Sequence, residues 1–458
     1  MITALIKKVK LFSEIALSIV FVYSIVVLIA TVGFYLTPST IELLIKVTDV
    51  AIYIYIFQEL LRFIFAQKKV NHLKERWLEL AVSFLMVLLL ISPSFLSDLL
   101  AKNFPTLNLV EIHSIYLTFI DLVIIVLFLL KSTKYLDSVL KLNLHPSALF
   151  ALSFALIIFT GSIFLSLLEA TVLSETTSYL DALFTSTSAV CVTGLVVHNT
   201  ATHFTFFGQV VILLLIQIGG LGVMTLTTFF TAIIAGGLSV KVRFLMREYL
   251  SQLSVSSVAN LLRKILLYTF TIEGIGALLL FFFNQKADNN NFFDRIFNSI
   301  FHSISAFCNA GFSTYENGLM QDYIQNNYFY LSVIMLLIVL GGLGFIVLAE
   351  LQQLFKFKNW KRWNYIIRDK FSVTTKIVLI TTFFLITFGS LFIFILSLSD
   401  KTSISSIFNT FFHSVFLSVT SRTAGFNTVS IELISVPTAF IVIFLMWVGA
   451  SPGSTGGG

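Results

Sequence analysis

The sequence predicts an all-α polytopic membrane protein. One unit recurs in it, a span, a short re-entrant segment and a second span, after four N-terminal spans. Three observations carry that expectation. Of 458 residues, 57% are apolar and 11% charged, where a soluble domain has about a quarter charged. Apolar windows near 12–36, 43–66, 79–100, 110–130, 148–168, 206–235, 261–283, 327–350, 374–398 and 432–449 are each long enough to cross about 30 Å of hydrocarbon as helix. Between them, three Ser/Thr-rich segments end in glycine and are too short to cross: Thr185–Gly194, Phe301–Gly311 and Phe416–Gly425.

Along the chain, Lys7, Lys8 and Lys10 precede a first apolar run too long for a signal peptide. Residues 1–145 form a four-span module. Its second span carries Glu59 and Arg62, three apart on one helix face and able to pair with each other. The repeats follow, at 146–240, 256–352 and 372–458. The second span of each carries a glycine cluster: Gly219, Gly220 and Gly222, then Gly341, Gly342 and Gly344, then the run 449–458. From segment glycine to cluster the distance is 25 residues (194 to 219), 30 (311 to 341) and 24 (425 to 449). Spacing so similar in three copies argues duplication. In the first two copies the glycines read as close helix packing. In the third, Ala-Ser-Pro-Gly-Ser-Thr-Gly-Gly-Gly cannot remain regular helix.

The basic residues set the orientation. With the N-terminus in the cytoplasm, the inner loops hold 23 of the 29 Lys and Arg, and all three glycine-terminated segments lie on the outer side. The net charge of +6 is accounted for by basic flanks beside anionic lipid and calls for no nucleic acid.

Non-helical backbone at membrane depth survives only where protein buries it or where it lines a water-filled cavity. Before each glycine a stretch such as Leu180–Val190 or Phe297–Phe307 reads as a half-helix. Its C-terminal dipole end favours a cation. Glycine then allows positive φ, so that successive carbonyls can face one way. Small neighbours, Thr193, Ala310 and Ala424, let backbones approach the axis. Such carbonyls replace the hydration shell of a monovalent cation. The residues therefore point to an ion pore.

The strings Ser-Ala-Val-Cys-Val-Thr-Gly-Leu (188–195), Ala-Phe-Cys-Asn-Ala-Gly-Phe (306–312) and Arg-Thr-Ala-Gly-Phe-Asn-Thr (422–428) resemble three filter segments of the bacterial Trk/Ktr potassium-uptake permeases, in the Trk/Ktr/HKT superfamily. Gly-Ala-Ser-Pro-Gly-Ser-Thr-Gly-Gly (449–457) resembles their intramembrane loop. The resemblance covers about 146–458. It implies a potassium pathway filtered by Val192, Thr193 and Gly194, by Asn309, Ala310 and Gly311, and by Thr423, Ala424 and Gly425. The ion would meet the carbonyls of Thr193, Asn309 and Ala424. It implies a gate at Gly449, Ala450, Ser451, Gly453, Ser454, Gly456 and Gly457. It further implies a homodimer, a cytoplasmic ring of nucleotide-binding regulatory subunits, residence in the bacterial inner membrane, and no cofactor beyond the permeant potassium ion. The family has four repeats, so a fourth unit is expected beyond residue 458. Three repeats alone would not close the filter, which leaves a non-conducting fragment or structural subunit, or a channel for sodium or ammonium, as the alternatives. Tyr55–Arg62 and Trp77-Leu-Glu-Leu resemble voltage-sensor helices, yet the fourth span, 110–130, has Asp121 and no arginine, whereas a sensor needs arginine at every third position.

Other chemistry is excluded or secondary. No HExxH, paired aspartates or nucleophile with a base supports a membrane enzyme. Cys191 and Cys308 lack ligand-spaced His or carboxylate neighbours and read as small polarizable fillers. Glu273, mid-span in repeat two, is a functional candidate by its location and should meet polar groups on neighbouring helices. Arg422 reads as an anchor bonding carbonyls behind the filter, and His302 and His413 as packing or hydrogen-bonding residues of the half-helices. The basic loops 236–260 and 352–373 are the natural docking surface for a cytoplasmic regulator. Replacing Lys356, Lys358, Lys361 and Arg362 by Glu is expected to weaken regulator co-purification; undiminished recovery would count against this surface.

Overall fold

The computed structural model describes residues 18–64 apart from 32, 35 and 36, positions 117, 120, 121, 123 and 124, then 146–172, 177–237, 255–284, 292–355, 371–398, 404–430, 432 and 434–456. The regular elements among these are helices, and the β contact is a single bridge between Thr171 and Phe204. The chain separates into two compact units, Met1–His145 with Leu167–Glu169, and Pro146–Ser166 with Ala170–Gly458.

The first unit contains α1 (Ser18–Thr31) and α2 (Pro38–Ile64). Val20, Ala51, Ile52, Ile120 and Ile124 form its core. The Tyr23 hydroxyl ties α1 to α2 by donating to the Leu44 carbonyl at 3.3 Å. Asp121 is fully buried. The side chains of Glu59 and Arg62, the span 79–100 with Trp77, and most of 110–130 lie outside the described residues.

The second unit repeats one arrangement three times. Its elements are α3 (Pro146–Leu165), α4 (Tyr179–Val190) and α5 (Phe206–Gly237); α6 (Val255–Phe283), α7 (Phe292–Phe307), α8 (Tyr328–Leu343) and α9 (Phe345–Phe355); and α10 (Val373–Leu396), α11 (Ile404–Thr420) and α12 (Val436–Val448). The half-helices α4, α7 and α11 mix apolar residues with Ser and Thr toward their glycines. Ser178 caps α4 by accepting from the Asp181 amide at 3.2 Å. Half-helix α7 begins at Phe292, five residues earlier than its apolar stretch suggests.

The same three-residue joint holds each half-helix in its repeat. A serine hydroxyl donates to a first-span carbonyl: Ser186 to Ile158 at 2.7 Å, Ser303 to Glu273 at 2.7 Å, Ser418 to Ile386 at 3.1 Å. In a bilayer such a hydroxyl has no water to turn to, so it joins helices instead. Three residues further along each first span a glycine makes room for it. A Cβ at Gly161 or Gly276 would stand 2.5 Å from the Ser186 or Ser303 Oγ, and one at Gly389 would collide with Ser418. Leu215, Leu337 and Leu445 of the second spans close the other side of these glycines. Outward, Ile380, Phe383, Phe440 and Trp447 stand exposed, a surface fit for lipid tails rather than water.

The second spans differ from the sequence expectation in two places. The window 327–350 is not one helix: α8 stops at Leu343, Gly344 takes φ +87, and α9 leaves at 106°. Gly341 does pack as expected, against the Phe307 carbonyl, but Gly344 breaks the helix rather than packing it. The window 432–449 yields only the 13 residues of α12, about 20 Å of helix, which end at Gly449. Inner-loop residues 238–254 and 356–370, with Lys356, Lys358, Lys361 and Arg362, lie outside the described residues.

The serine joint sets two expectations for thermal unfolding of the detergent-solubilised protein. Gly276→Val forces methyls into Ser303 and Leu337 and should cost about 1–3 kcal/mol. Ser303→Ala removes one hydrogen bond and should cost about 1 kcal/mol or less. An unshifted midpoint for Gly276→Val would contradict the joint.

Candidate functional site

Each half-helix ends by letting go of its ladder while the following backbone stays tied to its last turn. The Cys191, Val192 and Thr193 amides donate back to Thr187, Ala189 and Ser188 carbonyls at 2.8, 3.2 and 2.8 Å. Cys308, Asn309 and Ala310 do the same to Ile304, Ala306 and Ser305 at 2.8, 3.1 and 2.7 Å. In the third copy Ser421, Arg422 and Ala424 donate to Leu417, Val419 and Thr420 at 3.1, 3.3 and 2.9 Å.

Two left-handed residues then stand one apart in every copy. They are Val192 (φ 54) and Gly194 (φ 81), Asn309 (φ 60) and Gly311 (φ 74), Thr423 (φ 79) and Gly425 (φ 79). Positive φ costs a non-glycine residue about 1–2 kcal/mol, most for β-branched Val192 and Thr423. Such strain persists only where the surroundings impose it, and it clusters at functional sites. The sequence reading named Val192, Asn309 and Thr423 among the filter positions but foresaw positive φ only at the glycines. Asparagine's tolerance of this region was the one available signal, at Asn309.

The three segments lie side by side in chain order. A Cβ on Gly194 would stand 2.6 Å from the Ala310 carbonyl oxygen, and one on Gly311 would stand 2.7 Å from that of Ala424. Gly194 and Gly311 thus each face the carbonyl just before the next copy's glycine, an approach that a side chain would block. In this register Ala310 corresponds to Thr193 and Ala424, whereas Asn309, the carbonyl named from sequence for copy two, stands one residue earlier. The wholly buried Asn309 side chain meets the Ala306 and Ile338 carbonyls at 3.0 and 3.2 Å when its amide nitrogen is turned toward them.

Hydroxyl and imidazole groups brace the outgoing strands. Ser305 donates to the Phe312 carbonyl at 2.7 Å and Thr420 to that of Phe426 at 2.8 Å. His302 bridges the Asn298 carbonyl at 2.7 Å and the Ser313 hydroxyl at 2.8 Å, and His413 pairs with Thr428 at 3.0 Å. The C-terminal ends of α4, α7 and α11 add about half a negative charge each. Arg422, three residues before Gly425, is buried with its Nε donating to the Gly449 carbonyl at 3.0 Å. Cys191 and Cys308 are free thiols, and among the described residues no group of His, Cys, Asp and Glu could hold a metal ion.

The loop after α12 is stitched into the break between α8 and α9. Gly449 (φ 65) ends α12, and Gly453 (φ 75) turns the chain. The Ser451 amide and hydroxyl donate to the Gly342 carbonyl, both at 3.0 Å, and the hydroxyl also to Leu343 at 2.5 Å. The Phe345 amide, freed by the break, donates to the Gly453 carbonyl at 3.2 Å. Thr455 donates its amide to Gly341 at 3.3 Å and its hydroxyl to Phe307 at 2.9 Å. Ala450 and Ser454 are buried here, and Gly456 lies directly against Thr423 of the third segment. Gly457 falls outside the described residues. The sequence reading named the loop but not the break that receives it.

Comparison with known proteins agrees in family. Residues 155–458 match the TrkH family, described as cation transport protein. The chain is 37% identical over 325 residues to Ktr system potassium uptake protein B of Bacillus subtilis (strain 168), covering 70% of this chain and 69% of that protein. It is 36% identical over 321 residues to the potassium/sodium uptake protein NtpJ of Enterococcus hirae, covering 69% and 67%. The crystal structure of the potassium transporter TrkH from Vibrio parahaemolyticus shares the fold, with a TM-score of 0.50 and 18% identity over 81% of this chain and 69% of that one. This polytopic helical membrane protein belongs to the TrkH family of cation transport proteins.

Proposed function

We propose that the chain transports potassium across the membrane through its three glycine-terminated segments. One observation carries the reading: each copy places a left-handed pair at the same register, and the first two pack their glycines, Gly194 and Gly311, on the next copy's carbonyl. Strain repeated at one register in three copies is a constraint of use rather than of folding. Carbonyls held so by rigid half-helices substitute for the hydration shell of a monovalent cation. The filter positions are Val192 to Gly194, Asn309 to Gly311 and Thr423 to Gly425, with Ala310 rather than Asn309 in register for the second carbonyl. The relatives' names support potassium, and that of NtpJ adds sodium. The loop 449–457 acts as gate, since Gly456 lies against Thr423 and Ser451 and Thr455 hold to the broken α8–α9 pair.

The family setting extends the proposal. The protein resides in the plasma membrane with its N-terminus inside, forms a homodimer, and works with a cytoplasmic nucleotide-binding regulator docked on its basic inner loops.

Rubidium uptake by vesicles holding the intact transporter tests the filter. Gly311→Asp inserts a side chain where 2.7 Å separates a Cβ from the Ala424 oxygen, and should abolish uptake; unchanged flux would sink the filter assignment. Sodium competing as well as potassium for that uptake would favour the sodium reading. Ser451→Ala removes the hydroxyl tie to Gly342 and Leu343, and should raise resting uptake several-fold without changing ion preference. A reduced resting flux in Ser451→Ala would count against the gate.

A further inference from the structure

A carboxyl group stands behind the second segment with no cation paired to it among the described residues. Glu273 of α6 is 4% exposed. Its Oε1 accepts from the Gln217 amide of α5 at 3.2 Å and from the Cys308 thiol, three residues before Gly311, at 3.8 Å. Two oxygens of this pair, Glu273 Oε2 and Gln217 Oε1, have no protein partner. Among the described residues, the ion pairs are Lys46 with Glu42 and His198 with Asp181, and neither involves Glu273.

The repeat shows what this position is built for. Glu273 is the residue whose carbonyl receives Ser303; its counterparts under Ser186 and Ser418 are Ile158 and Ile386. By the same register Gln217 corresponds to Val339, and Cys308 to Arg422. Val339, Ile386 and Arg422 do line one cavity, between the second and third copies. There the span positions are apolar, and the charged group turns away to the Gly449 carbonyl. A buried carboxylate without a cation is costly enough that such a group takes up a proton instead.

We propose that Glu273 is a neutral carboxylic acid, paired reciprocally with the Gln217 amide, and that this pair positions the second filter segment through Cys308. The Gln217 N–H donates to Oε1, and the proton on Oε2 satisfies the Gln217 oxygen, so both orphaned acceptors are accounted for by one proton. The pair joins the second span of copy one to the first span of copy two. Its free lone pair on Oε1 takes the Cys308 thiol just ahead of Asn309. Glu273 is thus a positioning residue, without contact to the ion.

The transport arm of the test rests on the filter reading above; the spectroscopic arm does not. Infrared difference spectra of the purified transporter, wild type minus Glu273→Gln at neutral pH, should show the C=O stretch of a protonated carboxylic acid, displaced in Gln217→Leu. A carboxylate band in its place overturns the proposal whatever the protein carries. In vesicles, Glu273→Gln keeps neutral donors and acceptors and should retain rubidium uptake, as should the exchange Gln217→Glu with Glu273→Gln, whereas Glu273→Ala should lose it. If Glu273→Gln abolishes uptake or cannot be purified folded, the group is needed as a charge and the proposal fails.

Discussion

Backbone polar groups at bilayer depth have no water to fall back on, and every departure from helix in this protein is shaped by that constraint. Where a half-helix stops before Gly194, Gly311 or Gly425, the next amides turn back onto its last carbonyls. Where α8 breaks at Gly344, the carbonyls of Gly341, Gly342 and Leu343 are taken up by Ser451 and Thr455 of a loop more than a hundred residues away in sequence. The carbonyls left for an ion are therefore the ones that the protein does not use itself. Selectivity, on this view, begins as an accounting of which acceptors remain open.

Small residues make that accounting possible. Gly161, Gly276 and Gly389 let half-helices approach the first spans until a serine reaches a carbonyl. Copy-specific residues then divide the labour between interfaces. The first interface is closed by Glu273, Gln217 and Cys308, while the second is left to Arg422, which reaches the hinge of the loop.

Much of this was legible in the sequence because the signal was repeated. One glycine-terminated segment is a turn; three at one register, between apolar spans, are an architecture. Features written in a single copy were harder to read. The Gly344 break sits in a Gly-Gly-Leu-Gly string identical to the unbroken one at 219–222, and the partner loop distinguishes them. The left-handed Val192 and Thr423 oppose local propensity, so no propensity argument could have located them. The carbonyl named at Asn309 stands one residue out of the register of Thr193 and Ala424, which Ala310 keeps. Tertiary neighbours, absent from any one-dimensional reading, decided the break and the left-handed residues.

The glycine that faces a neighbour's carbonyl has a consequence for how such a protein can evolve. Gly194 reads the backbone of copy two, and Gly311 that of copy three. The contact is directional, like a tooth meeting the next gear, so no copy sees the same surroundings on both flanks. Duplication yields identical units, but the first closure assigns each a predecessor and a successor. From then on the copies drift as occupants of distinct seats, which is why an acid and an amide can settle between one pair and an arginine between the next.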